Sequence, residues 1–408
     1  MYLTYLSLTN FRNFARLDVD IPQGAVLLVG ANAQGKTSLL EAVYYLATFS
    51  SYHASSDRQL INFLSAQEPL AVARIVAEYR LSNATEKPQR LEVRIIQEQN
   101  GANGEVRVRK EVLFNGVKGK IGELVRVFSA VMFLPQSLRV IEGAPEERRR
   151  YLNLTLSQVI PGYMDALAQY NHALAQRNAL LKQLGERGGD PDQLIYWDEQ
   201  LSAAGALLIH ARLQGIRELE KLARPIHHRM TRGQEVLRLA YLPAYNPLKQ
   251  LQRQYALPLE PGIEGDEVSI EAIRQGYLRA LADLQAEEIG RGITTIGPHR
   301  DDLRFISNGI DLGTYGSRGQ TRTAMLALKL AEVRWMKSKT NQWPVLLLDE
   351  VLAELDQERR ADLLEHLGVC EQTLMATTDL HLFPREFVNQ ATVWRIEAGQ
   401  VLEATDER

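Results

Sequence analysis

The sequence predicts an α/β protein whose parallel-sheet domain is interrupted by a helical insertion. Three observations carry that reading. Residues 25–29 form an apolar strand that runs into Gly30-Ala31-Asn32-Ala33-Gln34-Gly35-Lys36-Thr37 and then a helical stretch. A second apolar strand, Val345-Leu346-Leu347-Leu348, ends in Asp349-Glu350, with Asp349 lying 313 positions after Lys36. Between them, apolar residues recur at alternating steps of three and four.

The elements follow in order. Tyr2, Thr4, Leu6 and Leu8 alternate with Leu3, Tyr5 and Ser7, which reads as a strand. The loop at 30–37 leads into a helix over 36–48. Short strands are expected at 71–79, 91–97 and 106–114, with Asn103-Gly104 and Asn115-Gly116 as turn signals. After Pro145 the chain turns helical over 146–187 and 194–224, separated by Gly188-Gly189-Asp190-Pro191. Leu167, Tyr170, Leu174, Arg177, Leu181 and Leu184 keep heptad spacing with one polar interruption. Leu194, Trp197, Leu201, Ala204, Leu208 and Ala211 do the same. Two readings fit: an antiparallel coiled-coil-like arm, or two core helices of a helical lobe. Residues 256–290 carry eight acidic and two basic groups and remain helical in character. After Gly297-Pro298 strands and helices return, including a helix over 321–337 and a strand over 373–376. The expected domains are 1–140, a helical insertion at 141–290, and 291–408.

Composition bounds the function classes. The 408 residues include 47 Lys+Arg and 50 Asp+Glu, a net charge of −3. This is ordinary for a soluble globular protein and argues only weakly against nucleic acid, because a local patch survives averaging. One cysteine, Cys370, excludes a disulfide framework and a Cys-clustered metal site. No apolar run is long enough to span a membrane, and the N-terminus does not read as a signal peptide. A cytoplasmic protein is expected.

The loop matches G-x-x-x-x-G-K-[ST] in full and sits between a strand and a helix, as that motif requires. Glycines let backbone N–H groups face phosphates, and the new helix aims its positive end at the same anion. Lys36 places a charge on the outer phosphates, and the Thr37 hydroxyl suits Mg²⁺. Asp349 suits the Mg²⁺ shell, and Glu350 suits a base for an attacking water. Tyr315-Gly316-Ser317-Arg318-Gly319-Gln320 opens a long helix and reads as a second anion site. His299, Asp301 and Asp302 are neighbours in sequence and are not expected to converge on one metal.

These residues resemble the ATP-binding-cassette superfamily. Ser317, Arg318, Gly319 and Gln320 look like its signature motif, with Arg318 where glycine is commoner, and Leu355-Asp356 looks like its D-loop. The start, Leu6-Ser7-Leu8-Thr9-Asn10-Phe11-Arg12-Asn13-Phe14, resembles ATPases of the SMC type, where the residue at Arg12 lies near the nucleotide. Phe133-Leu134-Pro135-Gln136-Ser137-Leu138, Gly143-Ala144-Pro145-Glu146-Glu147-Arg148-Arg149-Arg150-Tyr151-Leu152, Gln176-Arg177-Asn178, Trp197-Asp198 and Gly297-Pro298-His299-Arg300-Asp301-Asp302 narrow the resemblance to the RecF family of bacterial recombination mediators.

That resemblance implies an ABC-type P-loop ATPase head with weak hydrolysis, using ATP and Mg²⁺. Gly30, Ala31, Asn32, Ala33, Gln34, Gly35, Lys36, Thr37, Ser38 and Arg12 would bind nucleotide. Ser317, Arg318, Gly319, Gln320 and Asp356 would serve the nucleotide of a partner in an ATP-dependent homodimer. Glu350, Lys36 and Gln136 would carry catalysis, with Thr37, Asp349 and Gln136 around the metal. The implied partners are duplex DNA and single-strand/double-strand junctions, RecR, and through it RecA. Basic clusters at 105–126, 212–238 and Arg148-Arg149-Arg150 are the candidate DNA contacts. Rival readings are an SMC-like structural chromosome ATPase or the ATPase subunit of an ABC transporter. Two departures stand out. The family more often has glycine at the position of Ala33, so a negative φ is expected there. No histidine directly follows Thr377-Thr378-Asp379, although His381 is near.

Overall fold

The computed structural model describes residues 1–82, 87–99, 106–247 and 268–403. Asn103-Gly104 and the first part of the acidic stretch at 256–290 lie outside the described residues. The chain divides into two compact units, Met1–Leu138 with Met325–Arg408, and Arg139–Ala324.

The first unit holds two sheets. One is antiparallel, in the order Phe14–Asp20, Tyr2–Phe11, Leu70–Arg80, Gln89–Gln99, Val106–Phe114, Val117–Lys118. The other runs Gln400–Glu403, Thr392–Glu397, Gly24–Val29, Gln372–Thr377, Val345–Asp349, Ala130–Phe133. Its pairings are parallel except at the Gln400–Glu403 edge. Strands Val345–Asp349 and Gln372–Thr377 are buried at every position, the first as its apolar run Val345–Leu348 requires. Helix Lys36–Thr48 packs on strands of both sheets. That explains why it buries almost every side chain, the charged Lys36 and Glu41 included.

The second unit is mostly helical. Helices Tyr163–Arg187 and Leu194–Met230 pack along each other, and Leu181, Leu184 and Leu194 close the core beside their connection. A third helix, Ile270–Arg291, packs on both. The heptad pair is therefore part of a three-helix layer. Gly185 and Gly205 permit the close approach: a Cβ at either would collide with the Ile289 carbonyl or the Tyr277 ring. The polar interruption, Arg177, is fully buried and binds Asp198 at 2.5 Å, Glu288 at 2.5 Å and the Thr294 hydroxyl at 2.9 Å. The sequence pattern ends the second helix before Pro225, but the helix continues through it to Met230. A proline removes one backbone donor, and packing on two helices offsets that loss.

The sequence pattern ends the insertion at 290, yet its compact unit extends to Ala324. The cause is a long-range antiparallel pairing: Asp302–Ser307 pairs with Leu237–Leu242 on one side and Ile310–Asp311 on the other. Residues 291–324, including Ser317–Gln320, therefore belong with the helical unit. The segment Gly297–Asp302 is a latch within it, with Gly297, Pro298 and Asp301 buried. The Asp301 carboxylate accepts from Arg212 at 2.8 Å, from the Tyr241 hydroxyl and from the Ala244 amide at 2.9 Å. His299 meets the Tyr170 hydroxyl at 2.7 Å, and burial holds its pKa down at about 4, so it is neutral near pH 7. No helix among the described residues is long and apolar enough to cross a membrane.

Replacing Arg177 with Ala leaves Asp198 and Glu288 buried without their cation. Such a loss costs about 3–5 kcal/mol. Urea unfolding followed by circular dichroism is expected to show a midpoint lowered accordingly, whereas Lys182→Ala, on an exposed i,i+4 pair, is expected to leave it unchanged.

Candidate functional site

Parallel pairing places the ends of strands Gly24–Val29, Gln372–Thr377 and Val345–Asp349 at one edge of the sheet. The glycine loop leaves the first of these and the two acids end the last. The sheet thus joins residues far apart in sequence: the Thr37 hydroxyl donates to Asp349 Oδ2 at 2.8 Å across 312 positions. Lys36 Nζ lies 3.3 Å from Glu350 Oε1 and donates to the carbonyls of Gly30 at 2.5 Å and Ala31 at 3.1 Å. Lys36 and Asp349 are both buried. Burial is the main cause that pushes the Asp349 pKa up. Its Oδ1 is buried without a hydrogen-bond partner. A buried carboxylate oxygen left unpaired beside a threonine hydroxyl is a donor set that fits a hard divalent cation. Among the described residues, no group of three His, Cys, Asp or Glu side chains is placed to hold a metal. A cation here would share Thr37 and Asp349 with phosphate oxygens.

The loop is shaped by specific contacts. Gly35 has φ +117°, and a Cβ there would strike the Asn13 side-chain amide. A Cβ at Gly30 would strike the Ile396 carbonyl oxygen. Gln34 anchors the turn after strand Thr392–Glu397. Its side-chain oxygen accepts from Ala398 N at 2.7 Å, and its carbonyl accepts from Gly399 N at 3.1 Å and Asn13 Nδ2 at 3.2 Å. Ala33 has φ +65°, against the expected negative value. The loop imposes left-handed backbone there at a cost of about 1–2 kcal/mol for a residue with a Cβ. Glu350 is also left-handed, at φ +52°. Both strained residues lie at the site, where such conformations concentrate.

The loop forms one end of a cleft of about 550 Å³ lined by Asn32 to Ser38, Glu350, Arg12 and Asn13. Arg12 clamps the buried Glu41 with two bonds, at 2.8 and 2.9 Å, and donates to the Gln59 carbonyl at 3.1 Å. The cleft also takes in Gln59, Ile61, Asn62, Phe63 and Leu64. Sequence reasoning missed this wall, whose only signal was the two apolar pairs Leu60-Ile61 and Phe63-Leu64.

The family described as RecF/RecN/SMC N terminal domain matches residues 2–385. The chain belongs to it. The DNA replication and repair protein RecF of Roseiflexus castenholzii is 41% identical, covering 99% of this chain and 100% of the relative. RecF of Chloroflexus aurantiacus is 40% identical, covering 98% and 99%. Among solved structures, the recombination mediator protein RecF-ATPrS in the RecFOR pathway superposes with TM-score 0.81 at 29% identity, covering 99% of this chain and 98% of that one. An SMC head bound to the C-winged helix domain of ScpA shares the fold at TM-score 0.53 and 15% identity, covering 100% of this chain and 98% of that one.

The remaining RecF-type motifs are placed as follows. Ser317 and Gln320 cap helix Arg318–Thr340 reciprocally: Ser317 N donates to Gln320 Oε1 at 3.0 Å, and Gln320 N donates to Ser317 Oγ at 3.3 Å. Ser317, Arg318 and Gly319 are exposed. Asp356 caps helix Gln357–Leu367 through Arg359 N at 2.9 Å, which is the first cause of its lowered pKa, and it does not line the cleft. Gln136 is exposed just beyond strand Ala130–Phe133, which pairs with Val345–Asp349. His381 is exposed, with its backbone N–H held by Asp379 at 2.8 Å.

The basic clusters divide. Arg148 pairs with Asp302 at 2.5 Å, Arg149 binds Glu146 at 2.8 Å and the Asp301 carbonyl at 2.9 Å, and Arg212 is buried. This removes Arg148, Arg149 and Arg212 from any exposed patch, because they hold the latch. Arg109 and Lys118 share Glu111, and Lys110 pairs with Asp57. On helix Leu194–Met230, however, Arg217, Lys221, Arg224 and His228 are exposed at steps of four, three and four, which places them on one face.

Ala33→Gly relieves the left-handed strain while adding freedom to the unfolded chain. It is expected to stabilise the fold by up to about 1 kcal/mol, read as a raised urea midpoint with nucleotide binding retained.

Proposed function

We propose that this chain is an ATP-switched DNA-binding protein of recombinational repair, with hydrolysis slow enough to serve as a switch. The observation that carries the reading is the meeting of loop and acidic strand, Thr37 on Asp349 at 2.8 Å and Lys36 on Glu350 at 3.3 Å. The relatives' names, a DNA replication and repair protein and a RecF-ATP structure, support it.

Lys36 would exchange the Gly30 and Ala31 carbonyls and Glu350 for the outer phosphate oxygens. The N–H groups opening helix Lys36–Thr48 would face the same phosphates. Thr37 and Asp349, with Gln136 from the neighbouring strand end, would hold Mg²⁺, which offsets phosphate charge. Released from Lys36, Glu350 would orient the attacking water and take its proton. Ser317, Arg318, Gly319, Gln320 and Asp356 would complete the nucleotide site of a second copy. ATP would thereby close a homodimer, and hydrolysis would open it.

The closed dimer would clamp duplex DNA at single-strand/double-strand gap junctions. Arg217, Lys221 and Arg224 would meet the phosphate backbone without reading bases. With RecR, it would promote RecA loading, replication restart and SOS induction in the cytoplasm.

Glu350→Gln is expected to give an ATP-dependent dimer that binds duplex DNA, measured by light scattering and fluorescence anisotropy. A monomer indifferent to ATP and DNA contradicts the reading. Lys36→Ala is expected to lose ATP binding in calorimetry. Changing Arg217, Lys221 and Arg224 to Gln should weaken duplex binding on every sequence. It should also lower the log–log salt slope by roughly one for each phosphate no longer neutralised; an unchanged slope excludes this face.

A further inference from the structure

We propose that Glu235 is a positioning residue that couples the basic row on helix Leu194–Met230 to the turn at Ser317–Gln320, so that duplex and nucleotide bind cooperatively. The proposal rests on reading that row as the duplex face and that turn as part of a second copy's nucleotide site. Glu235 follows the helix closely, and its side chain is only 20% exposed. One carboxylate oxygen accepts from Gln320 Nε2 at 3.1 Å, and the other accepts from Ser307 Oγ at 2.7 Å. His227 Nε2 stands 3.9 Å from that second oxygen. At the backbone, the Glu235 carbonyl meets His228 Nδ1 at 3.1 Å, and the Glu235 N–H donates to Thr231 Oγ1 at 3.3 Å. One residue thus touches the last turn of the basic helix, strand Asp302–Ser307 and the Ser317–Gln320 turn, all inside one compact unit.

The bond to Gln320 fixes which way that amide points. With Nε2 committed to Glu235, Oε1 faces Ser317 N and accepts from it at 3.0 Å. The flipped amide would set its carbonyl against a carboxylate and its NH₂ against a backbone N–H, and neither pair can form a hydrogen bond. Gln320 N in turn donates to Ser317 Oγ at 3.3 Å. A hydroxyl that accepts there keeps its own proton for an outward acceptor, and Ser317 is exposed. The link back to the helix is equally defined. Arg232 and Gly233 are both left-handed, at φ +53° and +79°, and Gly233 N donates to the His228 carbonyl at 2.8 Å. Such a turn closes the helix and carries Glu235 to its partners. A phosphate drawn to Arg224 or His228 acts on the turn that holds Glu235, and a phosphate drawn to Ser317 acts on the amide that Glu235 holds. Two ligands that bias one element are coupled, and the coupling is reciprocal.

The test uses the full chain carrying Glu350→Gln, with ATP and Mg²⁺. Duplex affinity is measured by fluorescence anisotropy with and without ATP, and ATP affinity by calorimetry with and without duplex. This parent is expected to gain about 5- to 150-fold in each direction. Adding Glu235→Ala is expected to abolish both gains, while duplex affinity without ATP and ATP affinity without duplex stay unchanged. Glu235→Gln, whose side-chain oxygen still accepts from Gln320, is expected to restore them. Ser307→Ala removes one bond to Glu235 and is expected to lower both gains severalfold, which keeps the test open if Glu235→Ala does not fold. Undiminished gains in Glu235→Ala or in Ser307→Ala overturn the proposal. Loss of the two basal affinities along with the gains, without rescue by Glu235→Gln, assigns Glu235 to folding alone and also overturns it. A parent with no gain in either direction contradicts the ATP-switched reading itself and takes the coupling with it.

Discussion

The site depends on one strand, Gln372–Thr377, which lies between the strand leading into the glycine loop and the strand ending in Asp349-Glu350. Neighbouring strands are about 4.8 Å apart, so the two functional strands are about 10 Å apart. Side chains at their ends could not touch across that gap directly. The loop closes it by curling over the sheet edge, so that Thr37, one residue into the helix, reaches Asp349. The strained conformations at Ala33 and Glu350 lie at the two sides of this closure. Any change in the register of Gln372–Thr377 would displace both.

A second constraint follows from where the loop's helix goes. It enters the space between two sheets, so its polar residues need partners there. Lys36 finds loop carbonyls and Glu350, and Glu41 finds Arg12 and the Ser51 hydroxyl. An unpaired charge in such a place is costly. The Arg12–Glu41 pair therefore ties the antiparallel sheet to the phosphate-loop helix, and the bond from Arg12 to the Gln59 carbonyl extends the tie to the cleft wall. The resemblance puts Arg12 at the nucleotide. The structure gives its guanidinium a holding role at the cleft's edge.

What is legible in the sequence is local. The glycine loop, the acidic strand and the helical runs each announce themselves within about ten residues, by motif or by period. What is not legible is long-range. No periodicity shows that Asp302–Ser307 pairs with Leu237–Leu242, and so the pattern alone ends the insertion too early. No pattern shows that Ile270–Arg291 packs on the heptad pair, and so Arg177 reads as an interruption when it is the buried centre of three helices. The wall at 59–64 is hidden for the same reason, since its place beside the loop comes from bonds to residues 10–12.

Charge shows the same limit in its sharpest form. A run such as Arg148-Arg149-Arg150 looks like a phosphate-binding patch because sequence records charge and not burial. Arg148, Arg149, Arg177 and Arg212 are instead consumed by carboxylates and carbonyls inside the helical unit. Buried pairs cancel in the net charge of −3 and project little field outside. The field available to a polyanion comes from exposed groups, and spacing then decides whether they act together. Arg217, Lys221 and Arg224 follow the helical repeat along one exposed face, so they present their charges as a row. Arg148 and Arg149 are held by Asp302 and the Asp301 carbonyl, whereas Arg217, Lys221 and Arg224 remain exposed along one helix face.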